Sequence, residues 1–225
     1  MADLKYWLWL TTRKGLGAVG ALAVLDQFST PERAYYGEKE DFDVLPLPPY
    51  VKHSLLDKSL DSADKILGDC DRLGVRIMTF QDAGYPTRLK QIADPPVVLY
   101  IKGKNFRFDE EAAVAVVGMR QPSVYGKRWT EKLSMELSAN GALVVSGIAE
   151  GLDTCAIKGA LKGGGRVVSM LAGGVDVPFP HQNRFLYEDV AAAGALISEY
   201  PPGTSHMGSH FKPRNRILSG LCLGV

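Results

Sequence analysis

Residues 114–127 read Val114-Ala115-Val116-Val117-Gly118-Met119-Arg120-Gln121-Pro122-Ser123-Val124-Tyr125-Gly126-Lys127, and this stretch decides the fold. A short β-branched run ends in a glycine turn, and a helical pattern follows it. The unit then recurs: Leu143-Val144-Val145 ends in Ser146-Gly147 and leads to a helix near Asp153. A third run, 166–171, ends in Ala172-Gly173-Gly174-Val175-Asp176. Short apolar strands without polar alternation suit a parallel sheet covered on both faces. Glycine at a strand end lets the chain turn without a Cβ, and the next helix presents free N–H groups that attract an anion. The fold class expected is α/β, with ligands at the carboxyl ends of the strands.

Composition narrows the function. The chain has 225 residues and 46% hydrophobic content, enough for one substantial core and a small second domain. Lys plus Arg number 26 against 25 Asp plus Glu, so the chain lacks the overall positive charge of an indiscriminate nucleic-acid coat. A polyanion site must be local. Three cysteines, Cys70, Cys155 and Cys222, lie far apart and form no Cys-x-x-Cys, which argues against a disulfide frame or zinc ribbon and fits a reducing cytoplasm. The apolar run 4–10 is too short for a membrane span and lacks the basic start of a signal peptide, so no membrane association or export is expected.

Upstream, residues 4–36 read as short helices around Gly15-Leu16-Gly17, with Thr30 capping a helix that Pro31 opens. The turn could bring backbone amides to a DNA phosphate, but a tight αα-hairpin is the favoured reading. Residues 37–54, with Pro46, Pro48 and Pro49, read as a connection between domains, giving a helical segment 1–54 and a sheet domain 55–225. A helix over 55–73 leads through a Gly74 cap into a strand over 75–79, where the parallel sheet is expected to begin. Further strands are expected over 97–101 and 195–199. Tyr125, Trp129, Leu133 and Leu137, spaced by four, are expected to turn one helix face towards the sheet. Residues 205–210 read as a polar loop reaching Phe211-Lys212-Pro213-Arg214-Asn215-Arg216, with a buried helix starting at Ile217. The absence of a strand after that helix reads as truncation.

Arg120 stands where the dinucleotide fingerprint Gly-x-Gly-x-x-Gly needs its second glycine, which disfavours a nicotinamide cofactor and adds a bidentate phosphate donor. No cofactor is expected. Gly118, Arg120, Ser123, Gly126 and Lys127 form a candidate phosphate seat, with an ion pair from Arg120 to Asp153 or Glu150 as the plainer alternative. Lys212, Arg214 and Arg216 beside Phe211 suggest single-stranded nucleic acid, cations following phosphates while an aromatic face stacks on a base. The alternative is a solvated charged turn with Phe211 in the core. His206 and His210 lack further ligands at metal spacing, and Ser146-Gly147 is not a nucleophile elbow, so neither a metal nor a catalytic residue is expected.

The order Val-Gly-x-Arg-x-x-Ser-x-Tyr-Gly (117–126), Val-Ser-Gly-x-Ala-x-Gly-x-Asp (145–153), Gly-Gly-Val-Asp (173–176), Ser-Glu-Tyr-Pro-Pro-Gly-Thr (198–204) and Arg-Asn-Arg-Ile (214–217) resembles the DprA/Smf family of DNA-processing proteins. Tyr85-Pro86, Leu89 and Asp94-Pro95-Pro96 fit its upstream pattern. The resemblance implies a SAM-like helical domain before an extended Rossmann-like domain that binds single-stranded DNA. It also implies a cytoplasmic homodimer that loads RecA recombinase onto incoming DNA during natural transformation. On it, Arg120 and Ser146-Gly147 lie at the DNA pocket, and Phe211 is the aromatic preceding Arg214-Asn215-Arg216. Glu150, Ile157 and Lys212 depart from the family's usual arginine, histidine and proline. The rival from another class is a nucleotide hydrolase of phosphoribohydrolase type, since glycine turns at such a sheet edge also hold nucleoside phosphates.

Overall fold

The computed structural model describes residues 2–225, Ala2 by its backbone alone. Five helices come first: α1 (Ala2–Thr11), α2 (Gly17–Phe28), α3 (Pro31–Tyr35), α4 (Lys39–Asp43) and α5 (Pro49–Leu55). Thr30 caps α3 as its sequence implies, its hydroxyl accepting the Arg33 N–H at 3.2 Å with Pro31 at the first helical position. The Gly15-Leu16-Gly17 turn is a packed hairpin. Gly15 has φ +78°, and a Cβ there would stand 2.6 Å from the Tyr50 ring, while Leu16 is buried.

Residues 37–54 are not a linker. The prolines start α5 instead of breaking structure, because a first-turn N–H is orphaned in any helix and the fixed φ suits that position. Phe42, Leu45, Val51 and Leu55 are buried there. The same hydrophobic cluster runs from Trp7, Trp9 and Val24 through these residues to Tyr100, Val144 and Val167 on the sheet.

After α6 (Asp61–Leu73) the chain alternates: β1 (Arg76–Thr79), α7 (Thr87–Lys90), β2 (Val98–Gly103), β3 (Ala113–Ala115), α8 (Val124–Ala139), β4 (Leu143–Ser146), α9 (Leu152–Lys162), β5 (Val167–Leu171), α10 (Arg184–Ala193), β6 (Ala195–Ser198) and α11 (Gly208–Gly220). Gly74 ends α6 in the left-handed region, φ 64°. The sheet order is β1-β2-β6-β5-β4-β3. It is mixed: β3, β4, β5 and β6 run parallel, whereas β2 is antiparallel to both β6 and β1. The parallel sheet thus begins at β3, and the earlier pair forms its antiparallel edge, since β1 and β2 are joined without a full helical crossover. Beside β3, the Leu223 N–H donates to the Ala113 carbonyl and the Ala115 N–H to that of Gly224, a parallel bridge.

Two further expectations change. Of Tyr125, Trp129, Leu133 and Leu137 only Leu137 packs against the core, and the first three point to solvent at 72%, 49% and 50% exposure. Ser134 and Ser138 face inward, because α9 lies so close that only small residues fit between: a Cβ on Gly159 would stand 2.2 Å from the Glu131 carbonyl oxygen. The segment 208–220 is one helix, Pro213 included, so Phe211 to Arg216 lie on α11 and not on a loop.

Candidate nucleic-acid interface

β3, β4 and β5 end side by side, and their glycine turns gather on one rim of the sheet. Arg120, exposed in the turn after β3, places its guanidinium carbon 5.2 Å from the centre of the Phe211 ring on α11. Cation and aromatic, read separately in the sequence, form one unit, an attraction of about 0.5–2 kcal/mol. The alternative ion pairs for Arg120 are taken by other groups. Asp153 accepts the Gly118 N–H at 3.2 Å and faces Arg214, while Glu150 accepts from Gln182. Phe211 is half-buried, neither a core residue nor a free one.

Helical geometry sends the three cations of α11 in different directions, about 100° per residue. Lys212 is exposed. Arg216 ion-pairs with Glu199 and Asp94, both at 2.8 Å. Arg214 is buried, 5% exposed, donating to the carbonyls of Gly147 at 3.3 Å and of Met170. It ties the ends of β4 and β5 together from beneath the rim. Burial pushes the Asp153 carboxyl upward in pKa, and the nearby Arg214 charge counteracts this. Burial likewise lowers the Arg214 guanidinium, with Asp153 opposing.

Gly147 also has a packing reason to lack a side chain. A Cβ there would meet Asp153 Oδ2 at 2.5 Å and Arg214 Nη1 at 2.6 Å, so the residue is glycine because two charged side chains close over it. Ser146 is buried and its hydroxyl donates to the Val116 carbonyl at 2.7 Å, locking the β3 turn to β4. Ser123 accepts the Gly126 N–H at 3.1 Å as the cap of α8, which leaves that amide occupied. Lys127, one residue on, is exposed.

Gly118, Arg120, Phe211, Arg214, Asn215 and Arg216 therefore line one open cavity of about 540 Å³. Ser146 and Gly147 form its support, and Ser123, Gly126 and Lys127 continue from it onto α8. Sequence reasoning missed two rings. Phe179, in the loop after β5 and 42% exposed, lies 5.9 Å from Phe211 and stacks on His206 at 5.1 Å and 18°. Their signal was an aromatic just past the carboxyl end of the third glycine-ended strand. His206 Nε2 donates to the Val177 carbonyl at 2.9 Å, and burial lowers the pKa of its ring. Among the described residues no group of three His, Cys, Asp or Glu side chains could hold a metal ion, and no helix is long and apolar enough to cross a membrane.

Fold and rim together define an α/β protein of the Rossmann-like class whose sheet edge carries an exposed arginine over an aromatic ring. The chain belongs to the DNA recombination-mediator protein A family, whose model matches residues 76–225. It is 33% identical over 238 residues to the protein Smf of Synechocystis, covering 100% of this chain and 58% of that protein. It is 35% identical over 161 residues to the DNA processing protein DprA of Bacillus subtilis, covering 72% of this chain and 54% of the relative. The chain thus spans little more than half the length of these relatives. The X-ray structure of DprA from Streptococcus pneumoniae superposes with a TM-score of 0.80 at 29% identity, covering 97% of this chain and 75% of that one. DprA from Helicobacter pylori, described by its unique single-stranded DNA binding mode, gives 0.59 at 31% identity over 65% of this chain and 66% of that one.

Proposed function

We propose that this chain binds single-stranded DNA at the rim formed by Arg120, Phe211, Lys212 and Asn215, without catalysing a reaction on it. The carrying observation is the Arg120 guanidinium over the Phe211 ring, beside an open cavity. An exposed cation next to a half-exposed ring follows a phosphate while a base stacks, and stacking requires a base freed from a duplex. Family membership and the DNA-binding relative support the same reading.

Binding is favoured over hydrolysis because the polar groups nearest the cavity already hold the fold. Ser146 is spent on Val116, and Asp153 on Gly118 and Arg214. In this reading residues 1–54 buttress the sheet domain 55–225 rather than touch the strand, since Leu16 is buried and Gly15 packs on Tyr50. The role is that of a cytoplasmic recombination mediator that works as a homodimer and passes the strand to RecA recombinase in natural transformation. Fluorescence anisotropy of a labelled oligo-dT tests the binding step. Tight binding at low salt is expected, weakened about fivefold or more by Phe211→Ala. An oligonucleotide that stays free at low salt would sink the proposal.

A further inference from the structure

The outward face of α8 has no role in the fold. Tyr125 and Trp129 are 72% and 49% exposed, their ring centres 5.9 Å apart, and the Lys132 ammonium lies 5.1 Å from the Trp129 ring centre. Arg128 is exposed beside them, whereas Lys127, about 200° around the helix from Tyr125, faces the α9 side near Cys155. Of the helix's two acids, Glu131 is paired with Lys162 from α9 and Glu136 lies 3.7 Å from Lys132. The face therefore presents two rings with Arg128 and Lys132, against Glu136 as its one acid. It is also continuous with the rim: α8 begins at the Ser123 cap, three residues past Arg120, and runs from the carboxyl edge of the sheet along its flank.

We infer that α8 carries a second, sequence-independent contact for the same single strand, with Tyr125 and Trp129 as stacking platforms and Arg128 and Lys132 following the phosphates. This rests on the rim reading proposed above and extends its footprint. The chemistry favours a nucleic acid over a protein occupant. Protein interface cores are depleted of lysine, whereas here cations alternate with rings along the helix. Base stacking on such rings tolerates every base, and basic residues between them track the backbone.

The other two tryptophans make the test direct. Trp7 and Trp9 are buried, at 5% and 0% exposure, so DNA-dependent quenching of tryptophan emission reports on Trp129. The 225-residue chain is titrated with oligo-dT of about 4 and about 16 nucleotides, spanning the usual single-strand footprints. Anisotropy and tryptophan emission are read together. The longer strand is expected to quench and the shorter to bind without quenching. Trp129→Ala should remove the quench and weaken the longer strand about tenfold, and Arg128→Gln with Lys132→Gln should weaken it without touching a ring. Binding of the longer strand with unchanged emission and unchanged Trp129→Ala affinity would overturn the α8 contact while leaving the rim intact. Trp129 emission shielded from iodide before any DNA is added would overturn it too, since protein would then cover the face. If neither length binds, the rim reading itself fails.

Discussion

The Arg214 side chain illustrates how far a residue's role depends on its depth. As one of three cations within five residues it reads as a phosphate ligand, yet it is buried and serves two strand-end carbonyls opposite Asp153. Removing it would leave the buried Asp153 carboxylate without its counter-charge and two carbonyls without their donor. Arg214→Ala should therefore cost about 3–5 kcal/mol of stability by urea unfolding. His206 makes a pH-dependent counterpart. Its Nε2 proton serves Val177, its Nδ1 is buried without a partner, and burial holds the ring's pKa below its ordinary value. The unfolded chain then takes up the proton more readily than the folded one. Stability is fully present above the ordinary histidine value of ~6.5 and is lost as pH falls from there through the ring's lower folded-state value. Urea midpoints between about pH 7.5 and 5.5 should fall in the parent and fall less in His206→Leu; equal slopes would refute the assignment.

At the scale of elements, the strand, glycine turn and helix order was legible because period and glycine placement are local signals. Gly74 and Thr30 end and start their helices as read. What was not legible depended on neighbours. The spacing of Tyr125, Trp129 and Leu133 identifies a helix face but not which face meets the sheet. That choice was made by α9, whose Gly159 allows backbone contact with α8 at Glu131. Gly159→Ala should push the helices apart and lower stability by about 1–3 kcal/mol, measured by thermal unfolding. An unchanged midpoint would show that the close approach is not needed. The segment 211–216 misled in a similar way, read as the approach to a helix starting at Ile217 although α11 already begins at Gly208 and continues through Pro213. Burial of Ile217 and Leu218 and the Arg214 ties hold that helix. Prolines at 48 and 49 misled in the opposite sense, since they begin a helix.

At the scale of the whole molecule, the nearly balanced charge excluded a protein basic all over, and the structure instead sets one exposed cation, Arg120, over an aromatic ring at the rim. The residues of that rim were legible singly, from charge and aromatic character. Their union was not, because Arg120 and Phe211 meet only when α11 folds back across the ends of β3 to β5. The central claim is that a DNA phosphate sits on Arg120. Binding of oligo-dT measured across a salt series, in the parent and in Arg120→Ala, tests it most directly. The account predicts a linear fall of log affinity with log salt, with the slope shallower by about 0.7 in Arg120→Ala, where one fewer phosphate is neutralised. Identical slopes in the two proteins, or binding indifferent to salt, would contradict it.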